Sequence, residues 1–559
     1  MDGMDSGAAT AGMWLRALED RGAAFERVLR ETYGADPSLI DERCRLFQSV
    51  VERFLARFGD RAVRVFRCPG RINLRGMHVD THGGYLNLMT HQREVVCVAG
   101  PSEGDACRFV NVDGVFDEVS FCTNETAASP LFGQPWLDFI TGPEVRENIG
   151  RAKGDWAHYL RGAVLRARYA FPDTAFRGID AAVGSDLPRG AALSSSHALC
   201  VVALSAALAH NGLGLDADEL ILAVRDAEWY TGARSGTSDQ AAEILGGRGE
   251  LVNVALFAED FDSSGATRIS FPDALKVLVV NSFTERNLSG AELVSYTSNR
   301  FAYSMAMAIL RQELIACGCD EACAAQMDRL SRMTPEFFGG DAAVYELLDR
   351  IPAELPLEKL RRRYDLPGLE EAFAVYFGGA PEEERPRSIA LRGPLLFALA
   401  ESERARRFLP LLAAGDYESA GYLMRIGHDG DRRYNWDGSD FVQDLSNASL
   451  RDLAKSGTPL VCCPGVYGAS SRCLDALVDV ALEAGAVGAS LTGAGMAGTV
   501  LALVRREDAE AVTEQIRGFL AAEEYAEMAQ RGDALSEAEL KQAVVPNQAP
   551  QGAGEICLV

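Results

Sequence analysis

The chain has 559 residues, which ordinary domain sizes divide into two to four units. With 48% hydrophobic and 24% charged residues it can bury a large core, and its net charge of -25 excludes non-specific binding to nucleic acid or to anionic membranes, which need basic surface. No run of about 18 apolar residues is present, and the opening MDGMDSGAATAGMW is acidic where a signal peptide is basic, so a cytoplasmic protein is expected. Thirteen cysteines without regular spacing predict reduced thiols, and Cys317, Cys319 and Cys323 read as structural or surface thiols.

Residues 1–60 read as a helical extension. Ile40 to Phe58 repeats apolar positions at Leu46, Val50, Phe54 and Leu55 and stops at Gly59. Ala62 to Cys68 alternates Val63, Val65 and Cys68 with Arg64 and Arg67 and reads as a strand, as does Tyr85 to Gly100. Between them RINLRGMHVDTHGG, Arg71 to Gly84, reads as a polar, glycine-rich loop, the usual place to meet a ligand. Strands and two helical segments continue to about 285. The chain then turns mostly helical, and strand patterns resume at Val487 to Leu491 and Thr499 to Val504. This order predicts an α+β protein of two lobes, 61–285 and 286–532. Within the second lobe, residues 317–390 read as a helical insertion with surface loops, and from 533 onward VVPNQAPQGAGE predicts a flexible tail.

Two further stretches bear on chemistry. SDLPRGAALSSSHALCVVALSAALAH, Ser185 to His210, leads small residues and three serines into an unbroken helical run near Ser196. Backbone N–H groups at a helix N-terminus favour an anion, and a serine hydroxyl can ligate Mg²⁺; a plain flexible loop before a core helix has the same local composition. LTGAGMAGTVLALV, Leu491 to Val504, is a small-residue loop running into a strand, which alone signals only a close-packed turn.

Taken in order, CPGRINLRGMHVDTHGG, LPRGAALSSSHAL and LTGAGMAG resemble the three motifs of the GHMP sugar and metabolite kinases. The first is most similar to the galactokinase branch, and AEWYTGARSGTSDQAAEILGGRGELVNV, Ala227 to Val254, resembles the segment that carries that family's catalytic aspartate. The resemblance covers about 40–320 and 390–510. It implies a two-lobed GHMP kinase fold, with an N-terminal lobe like ribosomal protein S5 and a ferredoxin-like C-terminal lobe. It also implies an ATP-dependent, Mg²⁺-dependent transfer of the γ-phosphate to the anomeric hydroxyl of galactose or a related sugar.

By the same resemblance, Gly190, Ala191, Ala192, Leu193, Ser194, Ser195 and Ser196, with Gly493 and Gly495, would hold ATP. Ser196 and Glu228 would ligate Mg²⁺. Asp239 and Arg71 would be catalytic, and His78, Asp80, Gly236, Tyr296 and the position of Met77 would meet the sugar. From local pattern alone Asp239 also reads as a helix N-cap before QAAEIL. His197 stands where alanine is usual and reads either as a helix-surface residue or as a group reaching a phosphate. Ala191 and Ala192 stand where glycines are usual, and their methyls are expected to narrow the nucleotide fit.

Met77 replaces the glutamate that meets the sugar's C6 hydroxyl in the galactokinase pattern. A thioether accepts only weak hydrogen bonds, so C6 recognition is expected to differ. A galactose-like hexose, a uronate, a sugar without a C6 hydroxyl and a non-catalytic sugar and ATP sensor on the same fold all stay open at this point. The sequence is silent on oligomeric state.

Overall fold

A computed structural model describes residues 9–127, 129–151, 154–188, 190–257, 261–285, 291–366, 368–378 and 381–558. Its strands in chain order are β1 (Arg64–Arg75), β2 (Tyr85–Pro101), β3 (Ala106–Asn111), β4 (Val119–Cys122), β5 (Ile179–Ser185), β6 (Glu250–Ala255), β7 (Thr267–Ser270), β8 (Leu275–Asn281), β9 (Glu354–Pro356), β10 (Ser388–Ala390), β11 (Gly488–Thr492), β12 (Thr499–Arg505), β13 (Val544–Pro546) and β14 (Gly554–Ile556). The larger sheet runs β14-β1-β2-β5-β3-β4, with β6 on the free half of β2's edge and β7 beyond it. The smaller sheet runs β11-β12-β8-β13 and is antiparallel throughout.

Period-2 alternation gives the larger sheet two apolar faces. Val65, Val96, Val98, Val110 and Ala182 meet the N-terminal helices Ala11–Asp20, Ala23–Tyr33 and Pro37–Phe58. The last of these starts where Asp36 accepts from the amides of Ser38 and Leu39 with Pro37 in the first turn, and it stops at Gly59 with φ 85°. The opposite face, with Phe66, Cys68, Cys97, Phe109 and Val183, takes helices Trp156–Ala170 and Ser195–His210. The latter is apolar on all sides and accordingly buried along most of its length.

Val277, Val279, Leu501 and Leu503 of the smaller sheet join this same cluster, so the two sheets share one apolar core. The other face of that sheet, Leu278, Val280, Val500 and Ala502, packs in a cluster with residues of helices Arg472–Glu483 and Ala509–Leu520.

Three expectations are corrected. The strand expected to end at Cys68 continues to Arg75, so Arg71 and Asn73 belong to β1 and only Gly76 to Gly84 form the turn. Arg71, Asn73 and Arg75 are buried and face partners inside the protein, which hid the strand pattern behind polar letters.

The 317–390 region contains short helices, Asp341–Arg350 and Leu357–Arg363 among them, plus the β9–β10 hairpin. Its Tyr345, Leu348, Leu360 and Phe377 enter the main core of the second lobe.

The segment from 533, expected to be flexible, is built into both sheets. Helix Glu537–Ala543 begins in a Ser536–Glu539 capping box, Val544 and Val545 pair with Val280 and Val279, and β14 pairs with β1. Between them Arg67 donates to the carbonyls of Gln551 and Gly552, both at 2.7 Å, and Asn547 bonds His91 at 2.7 Å. Partners elsewhere in the chain satisfy this glycine- and proline-rich backbone, which composition could not reveal.

Candidate active site

A cavity of about 710 Å³ opens between the lobes, and it gathers all three sequence motifs. From β1, Arg71 reaches in with Nε donating to Asp239 Oδ1 at 2.7 Å and Nη1 donating to the Ala192 carbonyl at 2.6 Å. It thus ties the first motif to the second and to the helix Ser238–Leu245. Asp239 lies in the first turn of that helix, after a Thr237 N-cap, and its carboxylate faces Arg71 instead of capping.

The turn after β1 needs glycine at Gly76, with φ 96°, where a Cβ would lie 2.2 Å from the Tyr85 carbonyl oxygen. The amides of Gly76 and Met77 donate to Glu401 Oε1 at 2.7 and 3.1 Å, and Glu401 is paired with Arg75 and Arg404 in a fully buried network. Met77 is buried, yet lines the cavity, at the position where the galactokinase pattern has a glutamate. His78 adopts φ 62°, stacks on the Tyr467 ring at 4.2 Å and places Nε2 3.3 Å from Asp431 Oδ1. Asp80 Oδ2 accepts from Ser238 Oγ at 2.9 Å. A Cβ at Gly236 would lie 2.0 Å from that same oxygen, so the loop approaches Asp80 as closely as glycine permits. Tyr296 lies in helix Ala291–Ala316, and its side chain is outside the described residues.

The second motif forms the opposite wall. Gly190, Ala192 and Ser194 take left-handed conformations in alternation and lead into helix Ser195–His210, whose N-terminus opens on the cavity. Ala192, Leu193, Ser194, Ser195 and Ser196 line the space with Gly190. Ala191 stands behind them, its carbonyl accepting from Thr499 at 2.5 Å. Gly493 lines the cavity; Gly495 instead packs under Ala469, whose carbonyl oxygen a Cβ would meet at 2.1 Å. A Cβ at either Gly493 or Gly498 would sit 2.9 Å from the Ala192 methyl. The methyl expected to crowd the nucleotide is therefore turned toward the third motif, whose glycines make room for it.

Three family models match the chain: the GHMP kinases N terminal domain over residues 158–247, the galactokinase galactose-binding signature over 52–101 and the GHMP kinases C terminal over 441–522. A galactokinase of Chloroflexus aurantiacus is 26% identical over 83% of this chain and 89% of its own length, and one of Chloroflexus aggregans is 28% identical over the same shares. The chain carries the N- and C-terminal GHMP kinase domains and is galactokinase-like. A galactokinase of Streptomyces coelicolor is 26% identical over 85% of the chain and 93% of its own length. In fold, the kinase is similar to a Lactococcus lactis galactokinase crystallised with galactose, with a TM-score of 0.58 and 19% identity, over 90% of this chain and 98% of that one.

The electrostatics of the kinase's cavity follow from its buried pairs. Burial opposes ionisation of Asp239, but the charges of Arg71 and His197 outweigh it and hold the carboxyl well below the usual range. Burial alone would keep His197 neutral; Glu228 and Asp239 instead raise it to about 9. Glu228 is likewise lowered, against burial, by His197 and by hydrogen bonds from Ser235 and Ser196. Glu243, one turn beyond Asp239, goes the other way: burial, helped by the charge of Asp239, outweighs the lowering by His197, Arg71 and Cys68 and raises its carboxyl well above the ordinary range.

Ser196 Oγ donates to Glu228 Oε1 at 2.8 Å, which puts two hard oxygen donors side by side at the helix N-terminus. That donor set suits Mg²⁺, which takes few protein ligands and completes its shell with water and phosphate oxygens.

The residues that sequence reasoning missed are Glu401, Asp431 and Tyr467, which fix Met77 and His78 from helices and loops more than 300 residues away. No local pattern marks them. His197, read as helix surface or a phosphate contact, is buried between two carboxylates.

Proposed function

We propose that this kinase transfers the γ-phosphate of ATP to the anomeric hydroxyl of galactose or a closely related sugar. The observation that carries the reading is the convergence on one cavity of the Arg71–Asp239 pair, the helix N-terminus at Ser195 and the sugar-facing group of His78, Asp80 and Gly236. Phosphoryl transfer asks a protein mainly for positioning and charge neutralisation. Gly190 to Ser196 would cradle the phosphates through backbone N–H groups. Ser196 and Glu228 would hold the Mg²⁺, which when bound neutralises phosphate charge.

Asp239, held ionised, is a weak equilibrium base. Its role in this reading is to accept a hydrogen bond from the attacking hydroxyl and orient it, while Arg71 balances charge between that hydroxyl and the γ-phosphate.

A second reading, a uronic acid as substrate, has one observation in its favour. The wall that carries Met77 in place of a carboxylate belongs to a cavity that Arg234 and Arg300 also line, which suits a negatively charged C6. ADP release measured with galactose, galacturonate, 6-deoxy sugars and pentoses, followed by phosphorus NMR of the product, tests both readings. A sugar 1-phosphate from a galacto-configured substrate is expected. Binding without turnover for every sugar would reject the kinase reading in favour of a sensor.

A further inference from the structure

The turn Gly76–Gly84 leaves β1 in the first lobe, yet the side chains that hold it come largely from the second. Glu401 takes its first two amides, and Tyr467 and Asp431 flank His78. Its far end is held in the same manner. His82 Nε2 lies 2.9 Å from Ser304 Oγ, and the ring meets Tyr303 edge-on with centroids 5.4 Å apart. The Gly83 carbonyl accepts from the Ser331 amide at 3.0 Å. A Cβ at Gly83 would lie 2.8 Å from the Arg329 Cβ and 3.0 Å from a ring carbon of Phe257, over which the Arg329 guanidinium sits at 4.3 Å.

Ser331 and Arg329 belong to the 317–390 region, and that region reaches the near end of the turn by a second route. Tyr345 Oη meets Cys463 Sγ at 3.0 Å, the Cys463 carbonyl accepts from Arg404 at 2.8 Å, and Arg404 donates to Glu401 at 2.8 Å. All four residues are buried. Among the described residues, none between 317 and 390 lines the cavity itself.

We propose that the 317–390 region is a brace of the sugar site: Ser331 and Arg329, through the Gly83 backbone, and Tyr345, through Cys463, Arg404 and Glu401, are positioning residues that hold the turn so that His78 and Asp80 face the substrate. The proposal rests on the reading of His78 and Asp80 as sugar-facing given above. The turn is tight enough to transmit a displacement. The Gly83 amide donates to the Asp80 carbonyl at 3.4 Å, and the amides of His82 and Gly84 donate to the Val79 carbonyl at 3.2 and 3.0 Å, so Gly83 cannot shift without Asp80. The phosphate cradle hangs instead on Arg71 and the third motif. Loss of the brace therefore weakens sugar binding and spares nucleotide binding.

The test uses the full chain with Ser331→Pro, which removes the amide donor, Arg329→Ala, which removes the guanidinium over Phe257, and Ser331→Ala, which keeps the amide. KM for galactose, for galacturonate and for ATP is measured with a thermal melt, and hydrogen exchange of the 76–84 amides is followed by mass spectrometry. Ser331→Pro is expected to raise the KM of the sugar turned over at least about tenfold and Arg329→Ala at least about threefold, with the ATP KM within about twofold of wild type. Amides of the turn should exchange at least about tenfold faster in Ser331→Pro. Ser331→Ala is expected to follow wild type in each measurement.

A sugar KM that rises in neither Ser331→Pro nor Arg329→Ala, or that rises in step with the ATP KM, overturns the brace. Should the wild-type chain turn over neither sugar, the functional reading fails on its own and the exchange arm decides: turn amides as slow as wild type in both variants overturn the brace.

Discussion

The Arg71 guanidinium and the Asp239 carboxylate, 168 positions apart, meet at 2.7 Å across the seam between β1 and helix Ser238–Leu245. The pair fixes the charge of the aspartate and the direction of the arginine at once. Asp239→Asn, which keeps the shape and removes the charge, is expected to lower kcat at least about a hundredfold, and Arg71→Ala to do the same. Steady-state ADP release, with a thermal melt to verify folding, measures it; near-wild-type kcat in either variant would remove that residue from the chemistry.

Met77 bears on substrate choice. It lines the cavity while its amide is held by Glu401, so a side-chain change there should leave the turn in place. Met77→Glu is expected to move kcat/KM toward sugars with a C6 hydroxyl by at least about tenfold relative to uronates, since a new buried acceptor rewards the hydroxyl and repels the acid. A substrate profile that keeps its rank order and ratios would mean that residue 77 does not face C6.

Gly236 has a steric role that can be tested alone. An added Cβ would stand 2.0 Å from Asp80 Oδ2 and force the carboxylate or the loop aside. Gly236→Ala is expected to raise the sugar KM at least about tenfold with a much smaller change in the nucleotide KM. Parallel rises in both KM values would point to general damage of the cavity instead.

Acid should destabilise the protein before its carboxylates titrate. Burial lowers His91 to about 4 despite its bond to Asn547, and burial lowers His210 to about 4 despite its bond to the Ala99 carbonyl. The unfolded chain binds these protons near pH 6.5 and the folded one does not. Stability is therefore full above that pH and is lost as pH falls toward 4, by up to about 3 kcal/mol for each group. Urea unfolding at pH 7, 6 and 5 should show a falling midpoint, and His91→Gln should flatten the slope. A midpoint independent of pH over this range would contradict both burial assignments.

The segment 544–558 should be indispensable to the fold. It supplies an edge strand to each sheet and partners for Arg64 and Arg67. Its deletion is expected to cost at least several kcal/mol, since it exposes both sheet edges and strands the fully buried Arg67 with Glu94 as its remaining side-chain acceptor. An unchanged melting temperature would be the contrary result.

The sequence was most legible where chemistry and local pattern coincide. The helix at Pro37–Phe58 announced itself through apolar spacing and a terminal glycine, and β11 and β12 through short apolar runs beside a glycine loop. Gly190, Ser196, Glu228 and Asp239 were singled out from contiguous motifs, and all four line one cavity. The extent of β1 was not legible, because its inward side chains are arginine and asparagine satisfied by partners on other elements, such as Asp239, Asn87 and Glu401. His197 was misplaced for a related reason. On a helix that is apolar on all sides a lone polar residue near the N-terminus reads as surface, and only the arrival of Glu228 and Asp239 from other elements explains its burial.

The pairing of β14 with β1 has a bearing on how the chain is made. Arg64 and its partner Glu555 are 491 positions apart, so during synthesis the edge of β1 waits unpaired until Glu555 has left the ribosome. The first lobe cannot close on its own schedule, in contrast to the domain-by-domain order usual for proteins of this size. How long that edge stays exposed during synthesis is set by the position of one three-residue strand.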